Sequence, residues 1–176
     1  MSTKVKTGEV RFGYAFVHTP RKNGDSEKES YSAMIIVDKE DKATIKAIED
    51  AIEAAKQLGK TEKWGGKIPP TLKLPLRDGD EERPDSPELA GKLFLNAKSN
   101  NKPDIMVKDP EFGTIGKITD PADFYSGCHG KVTLNFYAYT FNGNKGVGCG
   151  LNNIFKTKDG EPLSGGGSGE SDFADE

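Results

Sequence analysis

Hydrophobic and polar positions along the chain fall into two different periods. In EVRFGYAFV (9–17), Val10, Phe12, Tyr14 and Phe16 share one side and Arg11, Gly13, Ala15 and Val17 the other. That period of two predicts a strand. SYSAMIIVD (30–38) predicts a second strand, whose near-continuous apolar run suits a central position. The polar stretch 18–29 between them, with its Pro and Gly, predicts a long hairpin loop. The period then changes. In DKEDKATIKAIEDAIEAAKQLGK (38–60), Ile45, Ile48, Ile52 and Ala55 recur at three- and four-residue spacing, one apolar stripe of a helix over about 41–58. Asp38 or Asp41 can cap its start and Gly59 its end. The opposite face is charged, so this helix is expected to cover an open end of a sheet.

Prolines at 69, 70, 75, 84 and 87 argue against a helix or a central strand in 61–88. A long excursion of this kind commonly carries function. Alternation returns in GKLFLNAKS (91–99), with Leu93, Leu95 and Ala97 against Lys92, Phe94, Asn96 and Lys98. DIMVKD (104–109) predicts a short strand, and 113–127 mixes turns with a short strand or helix. GKVTLNFYAYTF (130–141) is the longest strand candidate: Val132, Leu134, Phe136 and Ala138 face one way, and Lys131, Thr133, Asn135, Tyr137, Tyr139 and Phe141 the other. NGNKG (142–146) is a hairpin turn signal leading into VGCGLNNIF (147–155), whose glycines permit a bulge or a close backbone approach. About six strands and one helix predict a small, mostly antiparallel barrel or sandwich with the helix packed on it.

A length of 176 residues suits one domain with appendages. No apolar run approaches the roughly 20 residues that span a bilayer, and the N-terminal stretch shows no signal segment, so a cytoplasmic location is expected. Cys128 and Cys149 are too few for a disulfide framework and lack the close spacing of a zinc site. Reduced thiols in or near the core are the expectation. The net charge of −3 averages two unlike regions. Six acids and no Lys or Arg follow position 158, which leaves 22 acids against 25 basic residues in 1–158, a body at +3. The division expected is a domain over 1–158 and a flexible, Gly/Ser-rich acidic tail over 159–176. A basic body with an acidic tail favours an anionic partner.

Three kinds of chemistry merit testing against the residues. The stretch LPLRDGDEERPD gathers Asp78, Asp80, Glu81, Glu82 and Asp85, but Gly79 and the Pro-rich flanks break the calcium-loop pattern. Metal-dependent phosphodiester cleavage by these acids is the enzymatic alternative; a solvated loop fixed by Asp78 and Asp80 is the plainer reading. His129 directly follows Cys128, and strand neighbours point to opposite faces, which argues against a catalytic pair. No phosphate-loop or nucleophile-elbow pattern occurs. Single-stranded nucleic acid needs cations for the phosphates beside flat rings on which bases stack. Lys92, Phe94 and Lys98 share one strand face, with Lys102 in the next loop. Tyr137 and Tyr139 share another, with Lys145 at the turn; Lys73 and Arg77 flank the proline loop, and Tyr125 precedes the long strand. These ten residues are the candidate binding surface. Asp78 and Asp80 are expected to fix the loop rather than touch an anion.

YSAMIIVDKEDKATIKAIEDAI, LPLRDGDEERPDSPELAGKLFLNAKSNNKPDIMVKD and DFYSGCHGKVTLNFYAYTFNGNKGVGCGLNNIFK, taken in order over residues 4–156, resemble a family of bacteriophage single-stranded DNA-binding proteins. The RDGDE loop, the YSGC element and NGNKGVGCGLN are the most specific pieces. Relatives often place Pro-Lys where this chain has Val37-Asp38. The resemblance implies a mainly β OB-fold, an antiparallel barrel of five to six strands with one packed helix placed earlier than is common. It implies binding of single strands with little sequence preference in phage replication or recombination, within the cytoplasm of an infected bacterial host. Neither a cofactor nor a membrane partner is expected, and pairing with a second copy is left open. It also implies a working acidic tail. Asp172, Phe173, Asp175 and Glu176 would then modulate DNA binding and recruit replication or recombination proteins. A β-rich phage adaptor that binds only protein is the remaining alternative.

Overall fold

The computed structural model describes residues 3–22, 29–109, 111–141 and 143–163, and side chains for these except 14, 19–22 and 141. The middle of the expected 18–29 loop, Asn142 of the expected turn and residues 164–176 lie outside that range. The strands are β1 (Lys4–Lys6), β2 (Val10–Lys22), β3 (Glu29–Asp38), β4 (Arg77–Asp78), β5 (Lys92–Ser99), β6 (Ile105–Lys108), β7 (Ile115–Lys117), β8 (His129–Phe141) and β9 (Asn144–Lys158). Helix α1 spans Lys42–Glu62 and the single turn α2 spans Gly79–Glu82. Neighbours in the sheet run β1-β8-β2-β3-β5-β9-β6-β7, and β8 also pairs with β9. That last pairing closes β2, β3, β5, β9 and β8 into a five-stranded barrel with OB-fold connectivity. One seam departs from the antiparallel expectation. Strand β9 meets β5 in parallel at Lys98 and Gly150, and runs parallel to β6 from Ile105 opposite Ile154. With β8 intervening in the chain, β5 and β9 enter the seam in the same direction.

The period of two decides what fills the barrel. Ala33, Ile35 and Val37 from β3, Leu95 and Ala97 from β5, Val132, Leu134 and Phe136 from β8, and Val147, Cys149 and Leu151 from β9 are buried in one core. Helix α1 plugs the barrel through Ile48, Ala51, Ile52 and Ala55. Its start is fixed by Asp41, whose side chain accepts from the Thr44 N–H at 3.2 Å. Gly59 does not end the helix, contrary to expectation: α1 continues to Glu62. The glycine is needed instead for close approach, since a Cβ there would collide with the Ala138 Cβ and lie 2.9 Å from the buried Trp64 ring.

A second, smaller cluster lies outside the barrel, on the other face of β3 and β5. Met34, Ile36, Leu89 and Phe94 are buried together, with Leu163 packed against them. The proline-rich excursion covers this face, and its conformation is held by carboxylates. Asp78 caps α2 by accepting from the Asp80 N–H at 2.9 Å, and Asp80 accepts from the Gly91 N–H at 3.1 Å. The chain remains attached to the barrel beyond β9. Arg11 Nη2 donates to the Glu161 carbonyl at 2.6 Å, and the Leu163 N–H donates to the Ser126 carbonyl at 2.7 Å. The first residues of the expected 159–176 tail, as far as Leu163, are thus in contact with the barrel. Among the described residues no helix is long and apolar enough to cross a membrane.

Gly59 gives this packing a test. Replacing a helix-interior glycine by alanine ordinarily stabilises by about 1 kcal/mol. Here the added methyl meets Ala138 and the Trp64 ring, and overpacking costs about 1–3 kcal/mol. Urea unfolding of Gly59→Ala should show a net loss of stability; a gain would mean that the end of α1 is not tightly seated.

Candidate nucleic-acid interface

An open groove of about 770 Å³ runs over the outside of the barrel where β3 and β5 face the β8–β9 hairpin. Ser32, Asn96 and Lys98 supply outer-face positions of β3 and β5. Tyr137, Tyr139, Gly148 and Cys149 come from the hairpin, and Lys73, Leu74, Pro75 and Arg77 from the proline-rich excursion. Phe16 of β2 completes the aromatic set. Among the described lining residues are three cations and three aromatic rings, and no carboxylate. The excursion is fixed at the groove by its backbone: the Lys73 N–H donates to the Lys145 carbonyl at 3.1 Å, and the Val147 N–H donates to the Lys73 carbonyl at 2.9 Å. Pro75, which lacks an N–H, stops that pairing from spreading into a strand. Lys145 is exposed at the hairpin end beside this bridge.

The structure thus brings together five of the ten sequence-derived candidates, Lys73, Arg77, Lys98, Tyr137 and Tyr139, with Lys145 adjoining them. Four lie elsewhere. Phe94 is fully buried in the second cluster, under the Arg83 guanidinium 5.6 Å from its ring centroid, so it cannot offer a face to a ligand. The outer face of β5 reads as exposed in the sequence, but the excursion folds over it. Lys92 forms an ion pair with Asp38 at 2.8 Å, and six residues of strand, roughly 20 Å, separate it from Lys98. Tyr125 is half-buried as a latch: its hydroxyl donates to the Asp159 carboxylate and accepts from the Gly160 N–H, each at 3.1 Å, beneath the Lys156 ammonium. Lys102 is exposed in the loop after β5, outside the groove lining. Asp172, Phe173, Asp175 and Glu176 lie outside the described residues.

Phe16 is the groove residue that strict alternation missed. The register of β2 against β3 shifts between Gly13, opposite Met34, and Phe16, opposite Ser32. Three steps on β2 thus match two on β3, an extra residue that turns Phe16 from the core side of Phe12 to the outer side. Gly13 in mid-strand is the sequence signal for such a bulge.

The cations of the groove and those of the acidic loop differ in their partners. No carboxylate among the described residues lies within ion-pair distance of Lys73 or Lys98, while Arg77 reaches Glu82 at 3.8 Å. In contrast, Lys39 bridges Asp78 at 3.0 Å and Asp80 at 2.9 Å. Its ammonium holds both carboxyls below the ordinary value of 3.8. Two acids committed to one lysine and to backbone N–H groups support the reading that they fix the loop. Burial pushes up the Cys149 thiol on the groove floor and the Tyr137 phenol, which keeps both neutral at pH 7. Burial likewise raises the Cys128 thiol, while burial and then Lys158 and Arg11 lower His129.

These folded-state carboxyl values lie below the unfolded one. The stabilisation from Lys39 is therefore present above 3.8 and is lost as pH falls through the depressed values. In urea titrations the advantage of wild type over Lys39→Met should be largest near neutrality and shrink as pH falls below 3.8 through the depressed values. An advantage independent of pH would show that the bridge does not hold the loop.

Comparison with known proteins adds an independent line. The family model for the Enterobacter phage Enc34 ssDNA-binding protein matches residues 3–176. The solved single-stranded DNA-binding protein from bacteriophage Enc34, in complex with ssDNA, superposes with a TM-score of 0.77 at 26% identity, covering 92% of this chain and 90% of that one. Gp2.5, a single-stranded DNA-binding protein encoded by bacteriophage T7, superposes with a TM-score of 0.64 at 14% identity over 98% and 93% of the two chains, a likeness that bears on the fold. Protein p50 of Acyrthosiphon pisum secondary endosymbiont phage 1 is 28% identical over 173 residues, covering 93% of this chain and 88% of that protein.

Proposed function

This chain belongs to the family of the Enterobacter phage Enc34 ssDNA-binding protein, and from that premise we propose that its groove binds single-stranded DNA without sequence preference. The family is one of binding proteins rather than enzymes. The observation that carries the reading is the lining itself: Lys73, Arg77 and Lys98 beside Phe16, Tyr137 and Tyr139, with no described carboxylate among them. The cations, with Lys145 at the rim, neutralise phosphates. The rings stack on bases, which every base permits through its π-face. The solved Enc34 relative in complex with ssDNA supports the assignment. The work this suits is protection of single strands during phage replication or recombination, in the cytoplasm of the infected host.

A fluorescence titration with oligothymidine at two salt concentrations tests this. Three or four neutralised phosphates give a slope of log K against log salt of about −2 to −3. Tyr137→Ala should weaken binding by about 5- to 150-fold, the cost of one stacked base. Lys98→Ala should weaken it at low salt and flatten the slope by roughly 0.7. Equal affinity for duplex and single strand would defeat the reading. Failure of any oligonucleotide to bind, together with a co-purifying protein, would favour the adaptor alternative.

The acidic C-terminal segment completes the proposal. Six acids follow position 158 without a Lys or Arg, and Asp159 is already paired with Lys156 at 2.6 Å. Leu163 packs beside Gly13 and Met34, next in register to the Phe16–Ser32 pair of the groove. Leu163, the last described residue, therefore lies near the groove, and the chain continues from it into 164–176. Their acids compete with DNA for its cations and, once displaced, offer Phe173 and its acidic neighbours to replication or recombination proteins. Deleting 164–176 should tighten oligothymidine binding, most at low salt, with the unfolding midpoint unchanged. Deleting from 161 should also lower stability, because it removes the Glu161 and Leu163 contacts. Unchanged affinity at every salt concentration would exclude the competition.

A further inference from the structure

The hairpin pairs the groove tyrosines with glycines. Tyr137 stands directly opposite Gly148 and Tyr139 opposite Gly146, while the inward positions pair Phe136 with Cys149 and Ala138 with Val147. Rings and glycines thus alternate together on the outer face. A Cβ built on Gly148 would lie 2.6 Å from Tyr137 Cζ and 2.7 Å from its Cε2 and Oη. The far end of the ring therefore rests on the bare Gly148 backbone. The ring lies across β9 instead of standing away from the sheet. One side is taken up by the strand, and 38% of the residue remains exposed. A ring covering a cross-strand glycine is a known device for pinning strand register.

We propose that Gly148 is a positioning residue for the single-strand reading given above, on which this inference rests. Its missing side chain lets the Tyr137 ring lie flat, so that a face rather than an edge is offered to a planar base. An alanine at 148 lifts the ring off the strand, turns its edge outward and narrows the groove. The three heavy atoms nearest the added Cβ all belong to the Tyr137 side chain, so the closest collision is with a side chain and not with backbone. Gly146 is a poorer probe of the same effect, because a Cβ there would also collide with the Lys73 carbonyl. Gly150 provides the control: a Cβ there meets its nearest neighbour, the Asn135 carbonyl, at an ordinary 3.4 Å.

The test is a double-mutant cycle in the full-length chain, read by oligothymidine affinity, quenching of tyrosine fluorescence on binding, and the thermal midpoint. Gly148→Ala should weaken binding by on the order of 10-fold, within the range for one stacked base, and should reduce the quenching. Gly150→Ala should bind as wild type does. In a Tyr137→Ala background, Gly148→Ala should change affinity by less than about twofold, because the ring through which it acts is gone. Wild-type affinity in a folded Gly148→Ala variant would overturn the inference while leaving the function standing. So would a Gly148→Ala penalty that persists undiminished without the ring. If Gly148→Ala loses its fold, adding Tyr137→Ala should restore it, and failure to do so counts against the inference. Wild type that does not bind oligothymidine would instead sink the function itself.

Discussion

Closure of the barrel depends on β9, whose pairing with β8 on one edge and β5 on the other joins the two ends of the sheet. Along one edge it pairs with β8 from the hairpin turn to its far end; along the other it touches β5 in parallel at Lys98 and Gly150, then β6. Everything described for the groove sits around that seam. Lys98 comes from its β5 side, the tyrosines from its β8 side, and Lys73 is held by backbone bonds to Lys145 and Val147 at the start of β9. A parallel contact this brief contributes little hydrogen bonding. The seam is held instead by what lies beneath it: Ala97, Phe136, Val147 and Cys149 are buried in the same core. The apolar interior and the polar groove are two faces of the same few residues, and the period of two is what lets one stretch of chain serve both.

Much of this was legible in the sequence, because much of it follows from local period. The alternation of 130–141 placed Tyr137 and Tyr139 outside and Val132, Leu134 and Phe136 inside, as found. The stripe of Ile48, Ile52 and Ala55 marked the helix that covers the barrel. What local period could not supply was the covering of one element by another. Phe94 alternates like an outward residue and is one, yet the excursion lays Leu89 and the Arg83 guanidinium over it. Tyr125 looked like a ring beside a long strand; its partner Asp159 is 34 positions away. Phe16 failed for a different reason, because a bulge of one residue inverts the parity of everything after it. Gly59 shows that a residue type can be informative while the reason assigned to it is wrong: it answers to Ala138 across the interface and not to a helix end.

The placement of charge follows from where loops must be held. Asp38 is paired with Lys92, Asp78 and Asp80 with Lys39, Asp159 with Lys156, and Glu9 with Lys158. Each pair is at least partly exposed and screened by solvent, so these contacts are weak arguments for stability. Their effect on the surface field is larger. Local cations are neutralised at the end of β9, the acidic loop and the far end of β5, while Lys73 and Lys98 keep their charge because no described carboxylate reaches them. The groove that carries Lys73 and Lys98 also carries Phe16, Tyr137 and Tyr139. A body of only +3 can then attract a polyanion to a defined track. Of the described cations that line the groove, Arg77 has a carboxylate within ion-pair distance, Glu82, and Lys73 and Lys98 have none. On the reading proposed above, the acids beyond Leu163 serve as the counter-charge of Lys73 and Lys98.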